Sequence, residues 1–212
     1  MENNKTKSTR HKTRNKVNTQ IVGDCNVGKS SLISAYIPNA STNSDESSPN
    51  NESPAMKSKL VSCEGKTFKL CIYDRGMAEE DWKFIDSSYQ NADVILICFS
   101  LIDPSSLESV TERWVPDIKA VASKTPIILV GMKSDLRDEP NLKTSTLFEP
   151  ISTEKGETIS KEIEAFGYIE CSSKTKYNIN EVFELSLQSY VKNLELQKST
   201  PKEEENETCI IF

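Results

Sequence analysis

One stretch, Gly23-Asp24-Cys25-Asn26-Val27-Gly28-Lys29-Ser30, limits what this chain can fold into. Its spacing is G-x-x-x-x-G-K-S, the pattern of a phosphate-binding loop. The apolar pair Ile21-Val22 precedes it, and the helix-like run Ser31-Leu32-Ile33-Ser34-Ala35 comes after it. A strand, a glycine-rich turn and a helix in that order aim backbone N–H groups and a helix N-terminus at one point. Gly23, Asn26, Val27, Gly28, Lys29, Ser30 and Ser31 are therefore the expected phosphate cradle. Lys29 is expected on the β- and γ-phosphates and the Ser30 hydroxyl on Mg²⁺.

The length of 212 residues accommodates one ordinary domain with tails. Residues 17–195 are expected to form that domain. Residues 1–16 carry Lys5, Lys7, Arg10, Lys12, Arg14 and Lys16 against one acid, Glu2. They hold almost nothing apolar, so a disordered basic arm is expected. The net charge of the whole chain is nevertheless −6, which leaves the body acidic and argues against nucleic acid as a partner. The six cysteines form no C-x-x-C pair and no ligand-like spacing with His11. Three of them, Cys71, Cys98 and Cys171, lie in apolar runs, which fits buried free thiols in a reducing cytosol. Neither a signal peptide nor a membrane-spanning run is expected.

Taken in order, residues 17–22 are expected to form a strand of weak sequence, and the next helix to end near Tyr36-Ile37 before Pro38. Residues 39–57 are polar and read as a long loop beside the phosphate site. Residues 59–62 and 67–73 read as a hairpin around Glu64-Gly65-Lys66. That hairpin ends on Asp74, placed for metal binding opposite the phosphate loop. A helix is expected over 82–89 and a central strand over 92–99. Asp103-Pro104 opens the next helix, with Leu107, Val110, Trp114, Ile118 and Val121 facing the sheet. Trp114 reads as core. Residues 125–131 form another buried strand, 134–150 a polar insert, 153–166 a helix capped by Thr153, 168–171 the last strand and 178–194 the last helix. This order predicts an α/β fold: a doubly wound, mostly parallel six-stranded sheet of the P-loop type, with one antiparallel edge strand and helices on both faces. Ligands of such sheets bind at the carboxyl ends of the strands, which Gly23, Asp74, Gly131 and Cys171 mark.

Two stretches at that edge point to guanine. The first, Met132-Lys133-Ser134-Asp135, comes directly after the fifth strand. The Asp135 carboxylate can accept from both the ring N1–H and the 2-amino group of guanine, donors that adenine lacks. The stem of Lys133 can cover the base. The second, Cys171-Ser172-Ser173-Lys174, lies past the last strand, where a backbone N–H can donate to the guanine O6.

With these motifs in place, the chain resembles the small GTPases of the Ras superfamily, and within them the Rho/Rac branch. The branch-like stretches are Leu96-Ile97-Cys98-Phe99-Ser100-Leu101, Thr125-Pro126-Ile127-Ile128-Leu129-Val130-Gly131, Asp135-Leu136-Arg137-Asp138 and Tyr168-Ile169-Glu170-Cys171-Ser172. The polar insert after Asp135 is similar to the Rho-type insert. The resemblance implies a GTP/GDP switch that uses Mg²⁺, held by Ser30 and Asp74, and binds guanine through Lys133, Asp135, Ser172, Ser173 and Lys174. It implies a monomer that meets Rho-type effectors, exchange factors and a prenyl-binding chaperone.

The chain departs from that family where hydrolysis is done. Cys25 stands where Rho-type loops have glycine, and would crowd the γ-phosphate and any inserted arginine. The family reads D-T-A-G-Q-E where this chain reads Asp74-Arg75-Gly76-Met77-Ala78-Glu79. The glutamine that orients the attacking water falls on Ala78, or on Met77 if the register slides by one. The first-switch threonine has no clear equivalent, and Met132 replaces the first polar residue of the guanine motif. The expectation is a GTP-binding protein with slow hydrolysis and no intact catalytic set, similar to Rnd-like Rho proteins. The alternative is a persistently GTP-bound effector scaffold.

The chain ends Cys209-Ile210-Ile211-Phe212, which fits a prenylation signal on Cys209 within the tail 196–212. Glu203-Glu204-Glu205-Asn206-Glu207 supplies no basic second anchor there. The basic arm at residues 1–16 can serve instead. The cytoplasmic face of membranes, with a cytosolic pool, is the expected location.

Overall fold

The computed structural model describes residues 15–38, 56–74, 89–137 and 149–199. Strands β1 (Lys16–Val22), β2 (Met56–Cys63), β3 (Lys66–Asp74), β4 (Val94–Ser100), β5 (Ile127–Met132) and β6 (Gly167–Glu170) form one sheet in the order β2-β3-β1-β4-β5-β6. Five strands run parallel, and β2 pairs antiparallel with β3 at one edge. The expected doubly wound P-loop architecture is therefore the observed one. The β2–β3 turn is Glu64-Gly65, both residues at positive φ (50° and 73°), the two-residue loop whose twist suits a hairpin.

Two apolar layers sandwich the sheet. On one face lie α1 (Lys29–Tyr36) and the last helix, α6 (Ile179–Ser199). Leu32, Ile33 and Tyr36 meet Val182, Phe183 and Leu187 there, and the Tyr36 and Phe183 rings stack at 3.9 Å. On the other face Leu107, Trp114, Ile118 and Ile163 pack on alternate residues of β4 and β5. Strand β4 is buried along its whole length, with Val94, Leu96 and Cys98 facing one layer and Ile95, Ile97 and Phe99 the other. A strand covered on both faces reads as a continuous apolar run for this reason.

Strand β1 shows how tertiary partners override a weak strand sequence. Asn18, Thr19 and Gln20 are buried. The Asn18 amide donates to the Asn91 carbonyl, and the Thr19 and Ser186 hydroxyls lie 3.3 Å apart. Lys16, expected at the end of the arm, instead opens this strand. Strand β2 starts at Met56, within the stretch read as loop, because Met56–Ser58 complete the ladder to Tyr73–Cys71.

The helix after Asp103 is not uniform. It runs as α2 (Pro104–Ser109), widens into a π-helical turn over Val110–Trp114 and continues as α3 (Val115–Ala122). Pro116 cannot donate to the carbonyl one turn back, and the widened turn lies just before it. Residues 134–137, read as part of a polar insert, form one helical turn, α4 (Ser134–Arg137). Helix α5 (Thr153–Glu162) stops four residues earlier than expected. Its cap is Ser152, whose Oγ accepts from the Lys155 amide, and not Thr153. Helix α6 continues to Ser199, beyond the expected end at 194. The arm up to residue 14, residues 82–88 of the helix expected over 82–89, and the tail from residue 200 lie outside the described residues; Tyr89 is helical.

Candidate nucleotide site

Strand β1 ends at Val22, and the chain turns sharply at Gly23 with φ 136°. A Cβ on Gly23 would lie 2.1 Å from the Cys98 carbonyl oxygen, so only glycine lets the loop rest on β4. Asn26 adopts the left-handed conformation with φ 61°, and Gly28 starts α1 with φ 116°. Among the described residues no side chain caps this helix, and no acid stands in its first turn, which leaves its amides and positive end turned toward the loop. Val27 is buried in the core and anchors the loop, while Cys25, Asn26, Ser30 and Ser31 are exposed.

Lys29 is 8% exposed, unusual burial for an ammonium group. Its Nζ donates to the carbonyls of Gly23 (2.8 Å) and Asp24 (2.7 Å), which hold the charge over the loop. Among the described residues the third donor of the ammonium has no partner, which suits an anion. Ser30 Oγ donates to Asp74 Oδ2 at 2.6 Å across the carboxyl edge of the sheet. Asp74 Oδ1 is buried and has no hydrogen-bond partner among the described residues. A hydroxyl beside a carboxylate with one unpartnered oxygen fits the donor chemistry of a Mg²⁺ ion, which Ser30 and Asp74 would hold. Among the described residues no three His, Cys, Asp or Glu side chains could hold a metal together.

The expected base-binding loops meet the start of α1 in a cleft of about 710 Å³ lined by Gly28, Ser30, Ser31, Met132, Lys133, Asp135, Ser173 and Lys174, among others. Lys133 turns the chain with φ 62°, and the Ser134 amide donates to the Cys171 carbonyl, joining the two loops. Asp135 Oδ1 accepts from Ser172 Oγ at 2.6 Å, and Lys174 Nζ stands 3.8 Å from Asp135 Oδ2. The main-chain N–H of Ser172 is committed to the Tyr177 carbonyl. Ser172 therefore orients Asp135 and spends its own N–H within the loop. Ser173 Oγ is buried without a partner among the described residues, as suits a hydroxyl that meets a polar ligand. Met132 is 1% exposed. Its methyl lies 3.3 Å from the point where a Gly28 Cβ would be, and its sulfur 3.5 Å from Cys171 Sγ. It braces the phosphate loop by dispersion where a polar residue would do so by hydrogen bonds. Burial pushes the Cys171 thiol up to about 12, so it stays a neutral packing group.

A largely buried ion pair fixes these loops from behind. Arg137 donates Nη1 to Glu170 Oε1 and Nη2 to Oε2, each at 2.7 Å, and the Tyr168 hydroxyl donates to Oε1 at 2.7 Å. The Asn178 amide holds the Glu170 carbonyl. Gly156 packs against the Tyr168 ring, where a Cβ would come within 2.2 Å of Cζ. Burial alone would raise the Glu170 carboxyl, but the bonds from Arg137 and Tyr168 outweigh it and hold it below the usual carboxylate range. Its stabilising contribution is then complete above about pH 4.3, the unfolded value, and is lost as pH falls through the lower folded value. Glu170→Gln is expected to lower Tm at pH 7 and flatten its fall below about pH 4.5. Thermal unfolding between about pH 3 and 7 checks this, and an unchanged acid limb would contradict it.

Trp114, read as core, is core and more: its indole Nε1 donates to Asp24 Oδ1 at 2.9 Å. Neither Asp24 nor Lys176, which also lines the cleft, is among the site residues expected from sequence. A contact spanning 90 residues of chain leaves no local sequence signal. Met77, Ala78 and Cys209 lie outside the described residues. A family model described as "Ras family" matches residues 18–192, which include both base loops and the whole phosphate loop.

Proposed function

The chain belongs to the Ras family of small GTP-binding switches, and from that premise we propose that it is a Rho/Rac-branch member, Rnd-like, that holds GTP and hydrolyses it slowly. The observation that carries the reading is one cleft lined by Ser30 and Asp135, with Asp74 bonded to Ser30 and the loop before it bearing an exposed Cys25. Lys29 and the amides at the start of α1 would hold the phosphates, and Asp135 the guanine edge. Bound Mg²⁺ would offset phosphate charge beside Ser30 and Asp74. Cys25 on the rim, and Ala78 or Met77 in place of glutamine, leave binding in place while weakening the attack of water. The same features favour, as a second reading, a persistently GTP-bound scaffold for effectors.

The branch assignment rests on the four stretches from Leu96 to Ser172 that are similar to it and on the polar insert. With it come Rho-type effectors, exchange factors, a prenyl-binding chaperone, a monomeric state and no role for nucleic acid. Cys209 as a prenylated anchor, assisted by the basic arm, would place the protein on the cytoplasmic face of plasma or internal membranes with a cytosolic pool. No helix among the described residues is long and apolar enough to cross a membrane.

One experiment addresses both parts. Prenylated full-length protein and a form lacking residues 2–16 are floated with anionic vesicles, and the nucleotide carried along is identified. The expected result is GTP on the protein and loss of flotation on deletion. GDP as the main nucleotide overturns slow hydrolysis, and unchanged, salt-insensitive flotation overturns the role of the arm.

A further inference from the structure

We propose that Trp114 is a positioning residue for the phosphate loop, pinning Asp24 so that its carbonyl holds Lys29 while its carboxylate stays clear of the phosphates. This rests on the reading of the cleft as a guanine-nucleotide site. Asp24 is tied from two sides. Its main-chain oxygen accepts from Lys29 Nζ at 2.7 Å, and its side-chain Oδ1 accepts from Trp114 Nε1 at 2.9 Å. One residue thus joins the buried ammonium to the helix on the opposite face of the sheet.

A carboxylate in a phosphate-binding loop is electrostatically misplaced. Like charges a few ångströms apart repel strongly in a partly dry cleft, so the side chain must be turned away. An indole N–H is suited to that task. It is an uncharged donor on a rigid, bulky ring, so it fixes direction without adding a cation that would compete with Lys29 for the ligand. Trp114 is 4% exposed and packed within the second core layer, and the Arg113 guanidinium lies over its ring at 5.1 Å. The ring therefore has little freedom to follow a moving loop.

The helix geometry is consistent with this role. Trp114 is the last residue of the π-helical turn. One extra residue in a turn rotates the downstream side chains by about 100° relative to a regular α-helix. The widened turn thereby sets which side chain of this helix faces the loop. Such turns recur at functional positions, and here the residue that ends it makes the link to Asp24.

The test measures affinities of the full-length protein for GTP, GDP and GMP in Mg²⁺. Trp114→Phe keeps most of the ring and removes the donor. We expect it to weaken GTP and GDP binding about tenfold, the lower range for a hydrogen bond to a charged group, and GMP binding less than about twofold. In an Asp24→Ala background the same substitution should change GTP affinity less than about twofold, because its effect runs through Asp24. Equal losses for GTP and GMP, no loss at all, or full additivity with Asp24→Ala would overturn the proposal. A second readout leaves the core intact: Asp24→Ala should speed solvent exchange of the Trp114 indole proton about tenfold or more, as loss of one bond to a charged acceptor allows. Unchanged exchange would overturn the link. Wild-type protein that binds none of the three nucleotides would remove the guanine-nucleotide reading itself, whereas unselective loss in Trp114→Phe removes only the role of Trp114.

Discussion

Asp135→Asn is expected to lower affinity for GTP by about 10³-fold and to create a preference for xanthosine triphosphate. The carboxylate offers two acceptors to the two N–H groups on one edge of guanine. Each such bond to a charged group contributes about 1.5–3 kcal/mol, and an amide nitrogen facing a 2-amino group loses one bond and opposes donor to donor. Xanthine carries a carbonyl at that position, so the same amide nitrogen becomes a matching donor. The side chain is well held for this discrimination. It is 11% exposed, takes a 2.6 Å bond from Ser172 and stands 3.8 Å from Lys174. A site with so little room to relax rejects a ligand that leaves its polar groups unpaired. Competition of GTP, ATP and XTP against a fluorescent guanine nucleotide measures the effect. If the variant keeps its selectivity for guanosine over adenosine, Asp135 does not read the base.

The second large effect concerns turnover. Replacing Cys25 by glycine and Ala78 by glutamine is expected to raise single-turnover GTP hydrolysis at least about tenfold without a partner. A far larger gain is expected when a protein supplies an arginine. A placed glutamine and an inserted arginine together account for about 10⁵-fold in this chemistry, roughly 7 kcal/mol of barrier. Cys25 is exposed on the loop that Lys29 and Ser30 share, so a smaller residue there opens the approach to the γ-phosphate without touching the core. Nucleotide affinity should change little, because Lys29, Ser30, Asp74 and Asp135 are untouched. Single-turnover assays on preloaded protein provide the check. Wild-type protein that already turns GTP over rapidly, or a doubly substituted protein no faster than wild type, would count against slow hydrolysis.

Much of the candidate site is legible in the residues because it is built from short contiguous turns at strand ends. Gly23 through Ser31 lie within one strand-loop-helix unit. Asp74, Met132 through Asp135 and Cys171 through Lys174 each lie at or just beyond the end of an apolar run. Parallel topology then brings all four ends to one edge. What stayed hidden depends on distant partners. The polar strand residues Asn18, Thr19 and Gln20 look unsuited to burial until Asn91 and Ser186 meet the first two of them. Ser172 looks like a base contact until its N–H is spent on Tyr177 and its hydroxyl on Asp135. The π-helical turn before Pro116 is foreshadowed only by the proline.

The sequence by itself determined the class of fold and the Ras-family match, and it set the phosphate-loop motif and the two later loops at strand ends. Each of these is encoded over a few neighbouring residues by steric and hydrogen-bonding rules that act locally. Tertiary structure alone decided that Lys29 is buried on the loop carbonyls, that Met132 braces Gly28, and that Trp114 reaches Asp24 from the other face of the sheet. Those contacts depend on how two separately packed layers close over one sheet, and no run of neighbouring residues encodes that closure.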